Sequence, residues 1–443
     1  MTRHTLTLTR AVRLSCAIAA VAVPAHLRAQ TSAAHDTIYL DELQHAAERT
    51  DLRDAQLSLI SRQSQLRQRS IRSERMPTVN ATATAQYLSD VPNVGAAIPS
   101  AHIPGTPNDQ YDSYVSVRQP LLDPTRRQRV LVEQATAQDA EARVRAALFQ
   151  QRAAVSDAFF GVVLRTAQLQ SLDVAIADLE ERRKVASTRV TAGAALPSEQ
   201  LLLQAELERR RQSRDELLVD RDAARDVLAA LIHRELPAGA TYVVRAPVRG
   251  AVYAATVADT LHARPEFRQY ATAQALLDAR REAIAAQDMP RVSLFGRSGY
   301  GRPGLNPLGR SFNTYWTAGL QVEWSAWNWG RTRRELDAQA LQQDIVRNDE
   351  AAFSDGLRRA AITARAQVRS LEQTLIADDS IIALRERILR ETRLRFDEGE
   401  VNAADYVARL SEQLSVTLDR DTHRVRLDEA RARYLTTLGL EVR

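Results

Sequence analysis

The 443-residue sequence holds one cysteine, Cys16, and one lysine, Lys184, and only 5% of its residues are aromatic. A single cysteine excludes an intrachain disulfide and a cysteine metal site. Six histidines lie beyond the first 30 residues: His35, His45, His102, His233, His262 and His423. They form no HxxxH pair, so a metal site has no ligand set to build on and no metal is expected. Gly296, Gly299, Gly301 and Gly304 make a glycine-rich stretch. It runs from a strand pattern into a loop, not from strand into helix, so it is no phosphate cradle and no cofactor is expected. The apolar run Leu14 to Val23 is too short for a membrane-spanning helix, which needs about 20 apolar residues.

What is present is a balanced, foldable composition: 44% hydrophobic and 26% charged, with a formal charge of +5. That balance argues against disorder. Residues 1–29 read as a secretory signal peptide. Arg3, Arg10 and Arg13 precede the apolar run, and Leu27-Arg28-Ala29 puts a small residue before a cut at Gln30. Cys16 stands at the beginning of the run, not at its end where a lipid-accepting cysteine would stand. The segment carries four arginines and no acid, so its removal leaves 56 basic against 55 acidic residues and no cysteine. A mature chain of that kind suits an oxidising compartment. The basic excess that suggests nucleic acid belongs to the export segment, and mixed runs such as Glu206 to Arg214 read as solvated helix faces or interchain pairs.

The rest reads as an internal repeat. Met76-Pro77 recurs as Met289-Pro290, and Leu122-Asp123-Pro124-Thr125-Arg126 parallels Trp327-Asn328-Trp329-Gly330-Arg331. Gln134-Ala135 parallels Gln339-Ala340, and Arg189 to Gly193 parallels Arg395 to Gly399. The expected units are 30–257 (helix, strand pair 78–119, long hairpin 126–233, equatorial segment 236–257) and 258–443 (helix, strand pair 291–324, long hairpin 331–440). From Arg126 to Val190 there is no proline and Gly161 is the only glycine. A seam alternates there in steps of three and four, with Val144, Leu148, Val155, Ala158, Val162, Leu169, Leu172, Ile176, Leu179, Ala186 and Val190 apolar and Gln151, Arg165 and Arg183 filling the gaps, the signature of supercoiled helices. The second copy repeats the seam at Leu357, Ala361, Ala364, Val368, Leu371, Leu375, Ile382, Leu389 and Phe396. The return helices are expected at Ser198–His233 and Ala403–Leu438. A helix over 258–287 would extend the first return helix, and one N-terminal helix over 40–74 would extend the second. The result would be four helical columns, two of them unbroken.

After each Met-Pro the period changes to two. Val79, Ala81, Ala83, Ala85 and Tyr87 share one face of a strand. Phe312, Thr314, Trp316, Ala318, Leu320, Val322 and Trp324 alternate against Asn313, Tyr315, Thr317, Gly319, Gln321 and Glu323. Runs of this length suit a tilted membrane strand with one face to lipid; a soluble antiparallel sheet would alternate too. All four tryptophans lie between Trp316 and Trp329, and Trp324, Trp327 and Trp329 would mark one membrane interface. Four strands leave two open edges, which lipid does not tolerate, so membrane strands of this kind require association with further copies.

On the duplication, the Pro-started strand pairs, the Asp123-Pro124 and Asn328-Trp329-Gly330-Arg331 helix starts and the paired hairpin tips, the sequence from Ile38 to Gly439 resembles the TolC-like outer membrane efflux family. The resemblance implies a mainly α protein with membrane β structure. Duplicated coiled-coil hairpins would form an α-barrel across the periplasm, and four strands per chain would enter a trimeric 12-stranded transmembrane β-barrel. It further implies a passive channel in the outer membrane of a Gram-negative-type cell, serving multi-component efflux or type I secretion. Its partners would be a periplasmic adaptor and an inner-membrane transporter, with no catalytic site and no nucleic-acid partner. Under the same resemblance the tips, with Arg189, Gly193, Arg395 and Gly399, would dock the adaptor. The family's entrance acids match Asp405 but not Ala408, so Asp405 alone is the candidate periplasmic gate. An alternative is a periplasmic coiled-coil adaptor or structural protein of an export complex. That class usually has one hairpin, whereas this sequence has two hairpins and two strand pairs.

Overall fold

The structure is a computed structural model that describes residues 37–91, 105–245, 263–307 and 309–441. The signal segment, much of the first inter-strand loop and the second half of the equatorial segment lie outside these residues, as does the expected helical stretch 258–262. Two helices dominate: α3 (Pro124–Thr191) and α6 (Arg331–Glu398), each of 68 residues. At 1.5 Å per residue each is about 100 Å long. Each turns into a return helix of 35 residues, α4 (Pro197–Leu231) and α7 (Ala403–Thr437). Every residue of both expected seams is buried or half-buried.

The starts of the long helices follow from their sequences. At α3 the Asp123 carboxylate accepts from the Thr125 N–H at 3.1 Å and from its hydroxyl at 2.6 Å, and Pro124 occupies the first helical position. At α6 the chain passes through Trp329 and Gly330 with positive φ. Asn328 and Thr332 both donate to Asp288 at 2.8–2.9 Å, which ties this helix start to the chain just before the sheet.

The N-terminal helix differs from the expectation of one element over 40–74. It is two helices, α1 (Leu40–Thr50) and α2 (Asp54–Ser73). The break is made by Asp51, whose carboxylate takes the Arg53 N–H at 2.8 Å and the Arg53 guanidinium at 2.8–3.0 Å. This side-chain turn competes with helical bonding. The Arg53 guanidinium also holds the Asp51 carboxyl down to about 2.

The pairing of columns also corrects the expectation. The extension of the second return helix is α5 (Pro265–Ala285), not the N-terminal helix. Arg264 donates to the Thr437 carbonyl at 3.3 Å, and Gly439 lies against Arg264. Both α7 and α5 pack between α3 and α6, α7 along their lower halves and α5 along their upper halves. On the other side of α3 lie α4 below and α1–α2 above. There Leu228 and Ile232 share a core with Leu40 and Leu43. Strand β1 (Thr37–Tyr39) pairs in parallel with β4 (Thr241–Val243). This pairing carries the chain across the column instead of along it, which sequence order could not reveal. Tyr242 then meets Phe159, near the middle of α3, ring to ring at 5.7 Å.

Above the helices stands one antiparallel sheet in the order β2 (Thr78–Tyr87), β3 (Asp109–Leu122), β5 (Arg291–Arg302), β6 (Asn313–Glu323). The two strand pairs from the two halves of the sequence are joined through β3 and β5.

Candidate functional site

Register fixes what each face of the sheet presents. Val79 opposes Val117 and Ala81 opposes Val115. Val117 opposes Gly296 and Ser113 opposes Tyr300. Leu294 opposes Leu320 and Ser298 opposes Trp316. One face is therefore apolar across all four strands, and its large side chains stand exposed: Val79, Val115, Leu294, Trp316, Leu320 and Val322. The opposite face carries Thr82, Thr84, Asp112, Ser116, Arg297, Thr317 and Gln321. No helix covers the apolar face among the described residues.

Trp324, Trp327 and Trp329 follow β6 at the helix end of the sheet and are 63–79% exposed. The Trp324 indole donates to the Asp288 carbonyl at 3.0 Å, and Trp327 and Trp329 meet edge to face at 5.8 Å. Sequence reasoning missed a second aromatic group at the loop end. Tyr111 and Tyr300 both contact Phe312, at 5.9 and 5.3 Å between ring centres, and the exposed Tyr87 lies at the same end. The signal was in the sequence as single aromatics at four strand ends, but only the register brings them to one level. Two aromatic levels bounding an apolar band are the interface pattern of a membrane barrel. Within the described residues neither β2 nor β6 has a partner on its outer side.

The helical layer has free edges as well. Leu341, Ile345, Ile376, Leu384 and Ile388 of α6 are exposed. At 100° per residue they lie on the far side of the helix from the buried seam. Leu59 and Leu66 of α2 and Leu201, Val219 and Val227 of α4 are exposed along the opposite edge.

At the lower end the two tips are fastened together. Arg189 donates to the Phe396 carbonyl at 2.8 Å and lies against the Phe396 ring. Gly399 takes φ +85°, and a Cβ there would stand 2.5 Å from the Arg189 guanidinium. Arg189 is thus half-buried between the tips, whereas Gly193 and Arg395 are exposed, with Arg395 paired to Glu391 at 2.9 Å. Asp405 is exposed in the first turn of α7, and its N–H is capped by Asn402 at 2.9 Å. The return helix expected from Ser198 starts one residue earlier, because Pro197 takes the first helical position and leaves Leu196 at the cap with no side-chain bond.

Sequence reasoning also missed a polar clamp one turn above the tips. The fully buried Tyr406 of α7 donates its hydroxyl to Asp178 of α3. Asp178 also faces Arg393 of α6 at 3.2 Å and Arg182 at 4.0 Å, and Arg182 pairs in turn with Asp397. Burial, then the bond to Asp178, pushes the Tyr406 hydroxyl well above its ordinary value, so it remains a donor. Phe396 stacks on Tyr406 at 5.2 Å. Among the described residues no three His, Cys, Asp or Glu side chains gather as a metal site would, and no helix is long and apolar enough to cross a membrane.

No family model matches the sequence, and no curated protein matches it. Solved structures do. CusC, whose structures review conformational changes accompanying folding and transmembrane channel formation, superposes with a TM-score of 0.68 at 16% identity over 90% of this chain and 92% of its own. The outer membrane protein VceC of Vibrio cholerae gives 0.66 at 14% identity over 91% and 97%. The open state of the Neisseria gonorrhoeae MtrE outer membrane channel gives 0.64 at 18% identity over 91% and 89%. At these identities the likeness speaks for architecture, and the chain has the fold of the TolC-like outer-membrane efflux channels.

Proposed function

We propose that three copies of this chain form an outer-membrane exit duct that continues through the periplasm. The observation that carries the reading is the four-stranded sheet with an uncovered apolar face, aromatic residues at both ends of that face and two unpaired edges. Open strand edges are not stable in lipid, and closure with further copies removes them. Three copies supply twelve strands. The free apolar edges of the helical layer support the same assembly, because α6 of one copy would cover α2 and α4 of the next. The units 30–257 and 258–443 are then the two halves of each protomer, preceded by the cleaved segment 1–29.

In this reading the duct is passive and not an enzyme. A periplasmic adaptor meets the tips, and an inner-membrane transporter supplies the energy for efflux or type I secretion. Gly193, Arg395 and Gly399 are the exposed members of the docking surface; Arg189 holds the two tips in register. Three copies of Asp405 would ring the lower opening, and the Asp178–Tyr406 clamp would keep that opening narrow. The likeness to the outer membrane protein VceC and to the MtrE outer membrane channel supports an outer-membrane location. An adaptor-like role would leave the apolar face of the sheet without a purpose.

The test is mass and conductance. Protein extracted from outer membranes in detergent should have the mass of three chains and should open ion-conducting pores in planar bilayers. A water-soluble monomer obtained without detergent would overturn the proposal.

A further inference from the structure

The polar face of the sheet holds one crowded tier, and it falls on the glycine stretch that made no phosphate cradle. Arg297 of β5 pairs with Asp112 of β3 and donates to the Tyr315 hydroxyl of β6 at 2.5 Å. Tyr315 donates in turn to the second Asp112 oxygen at 2.5 Å. The Arg297 guanidinium lies 3.6 Å from the centre of the Tyr114 ring. The glycines make room for this. Tyr114, Gly299 and Tyr315 stand side by side in register. A Cβ on Gly299 would lie 2.7 Å from both tyrosines, and one on Gly301 would lie 2.9 Å from the Asp112 carboxylate. Glycine within a strand marks close approach of this kind. Elsewhere on the same face β2 presents only short or uncharged polar side chains, Thr78, Asn80, Thr82, Thr84 and Gln86. The other charged residues of the face, Arg118, Arg291 and Glu323, stand nearer the helix end.

We infer that Asp112 and Arg297, held over Gly299 and Gly301 by Tyr114 and Tyr315, form a charge-balanced constriction that sets the ion selectivity of the barrel lumen. The inference rests on the trimeric-barrel reading above. Three copies would place three aspartates and three arginines at one level of the lumen. Both side chains are one-third exposed, so they face the aqueous path while remaining paired. A paired ring presents no net charge to a passing ion, whereas loss of either partner unmasks three like charges. Rings of one sign select ions in pores, and the field reaches about a Debye length, ~8 Å at physiological salt.

The experiment measures the cation-to-anion permeability ratio from reversal potentials of trimers in bilayers under a potassium chloride gradient. Asp112→Asn should shift the ratio toward anions and Arg297→Gln toward cations, each by about twofold or more. The exchange Asp112→Arg with Arg297→Asp should return it toward the wild-type value. Conducting single variants with an unchanged ratio would overturn the inference while leaving the barrel reading intact. Absence of conductance in the wild type would overturn that reading instead. Thr317→Cys, beside Arg297 in register, leaves both charges in place and tests the same tier if the charge variants fail to assemble. A charged thiol reagent should then change the current, and an unaltered current counts against the constriction.

Discussion

The clamp above the tips gives the sharpest quantitative test of the lower end. Tyr406→Phe removes one hydroxyl and keeps the ring that stacks on Phe396 at 5.2 Å, so packing is conserved and no large cavity forms. What is lost is a hydrogen bond to a carboxylate, worth about 1.5–3 kcal/mol net. Asp178 keeps Arg393 at 3.2 Å and Arg182 at 4.0 Å, so no unpaired buried charge is created and the cost stays within that range. The bond joins α3 to α7, and a lower end that widens must break it. If the closed form holds this bond and the open form does not, the open-to-closed ratio should rise about 10- to 150-fold.

The assay is single-channel recording of wild type, Tyr406→Phe and Tyr434→Phe in planar bilayers. Tyr434 is a buried tyrosine of the same helix but lies near the equator, far from the tips. Higher mean conductance is expected only for Tyr406→Phe. The pH dependence follows from the sign of the Tyr406 shift. A hydroxyl whose value is raised by burial and by Asp178 contributes stability that is complete below the ordinary tyrosine value and is lost only as pH rises through the folded one. Between about pH 6 and 9 this clamp should therefore not titrate. Tyr406→Phe conducting like the wild type, or no more than Tyr434→Phe, would refute the clamp.

Further outcomes follow from other residues. Leu320→Arg, on the apolar face, should cost about 2–4 kcal/mol near mid-membrane and reduce membrane-inserted trimer, whereas Gln321→Arg, one residue on and facing the other way, should insert normally; heat-stability of the trimer on gels reads both. Gly399→Ala must enter a φ of +85° and displace the Arg189 guanidinium, so calorimetry should show a loss of about 1–3 kcal/mol. Replacing Asp405 by Ala should weaken cation block of the channel if its ring lines the opening, and unchanged conductance and block would leave Asp405 only as a first-turn acid favoured by the helix dipole. Burial raises the Glu429 carboxyl above its ordinary value, with Asp157 adding to the shift and Arg433 and Arg426 opposing it. Glu429 thus favours the folded chain at low pH, and this contribution is lost as pH rises. Glu429→Gln should accordingly stabilise the protein at neutral pH, with thermal curves of variant and wild type converging below about pH 4.

The features legible in the sequence are those set by local periodicity. The seam from Leu148 to Ala186 and the alternation from Phe312 to Trp324 told which side of each element is apolar, and the structure keeps both assignments. Asp123-Pro124 marked a helix start because capping is a contact across two or three residues. The return helix expected from Ser198 begins at Pro197, since proline suits the first helical position. The α1–α2 break was hidden because Asp51 and Arg53 are ordinary helix-surface residues until their side chains close on each other. Partner choice was legible for neighbours in the chain, the strand pairs and hairpins, but not between elements far apart in it. The Asp178–Tyr406 bond spans 228 residues and the Asp112–Arg297 pair spans 185, and nothing in periodicity assigns an acid on one face to a base on another.

That distinction bears on how assembly is encoded. A buried seam satisfies itself within the chain, so its residues carry no information about other copies. The residues that do are apolar yet left uncovered: Leu341, Ile345 and Ile376 on α6, Leu59, Leu66 and Val219 on the opposite edge, and the outward face of β2 and β6. Burial of such side chains yields roughly 25 cal/mol per Å². These surfaces lie at the lateral boundaries of the two layers, and in the proposed assembly the same protomer rotated about a common axis would cover both boundaries at once. Closure of that kind would join α6 to α2 and α4 in the helical layer and β6 to β2 in the sheet by one operation. A substitution that disturbs the helical seam between copies, such as Ile376→Asp, should for this reason lower the yield of closed barrel although it lies far below the strands.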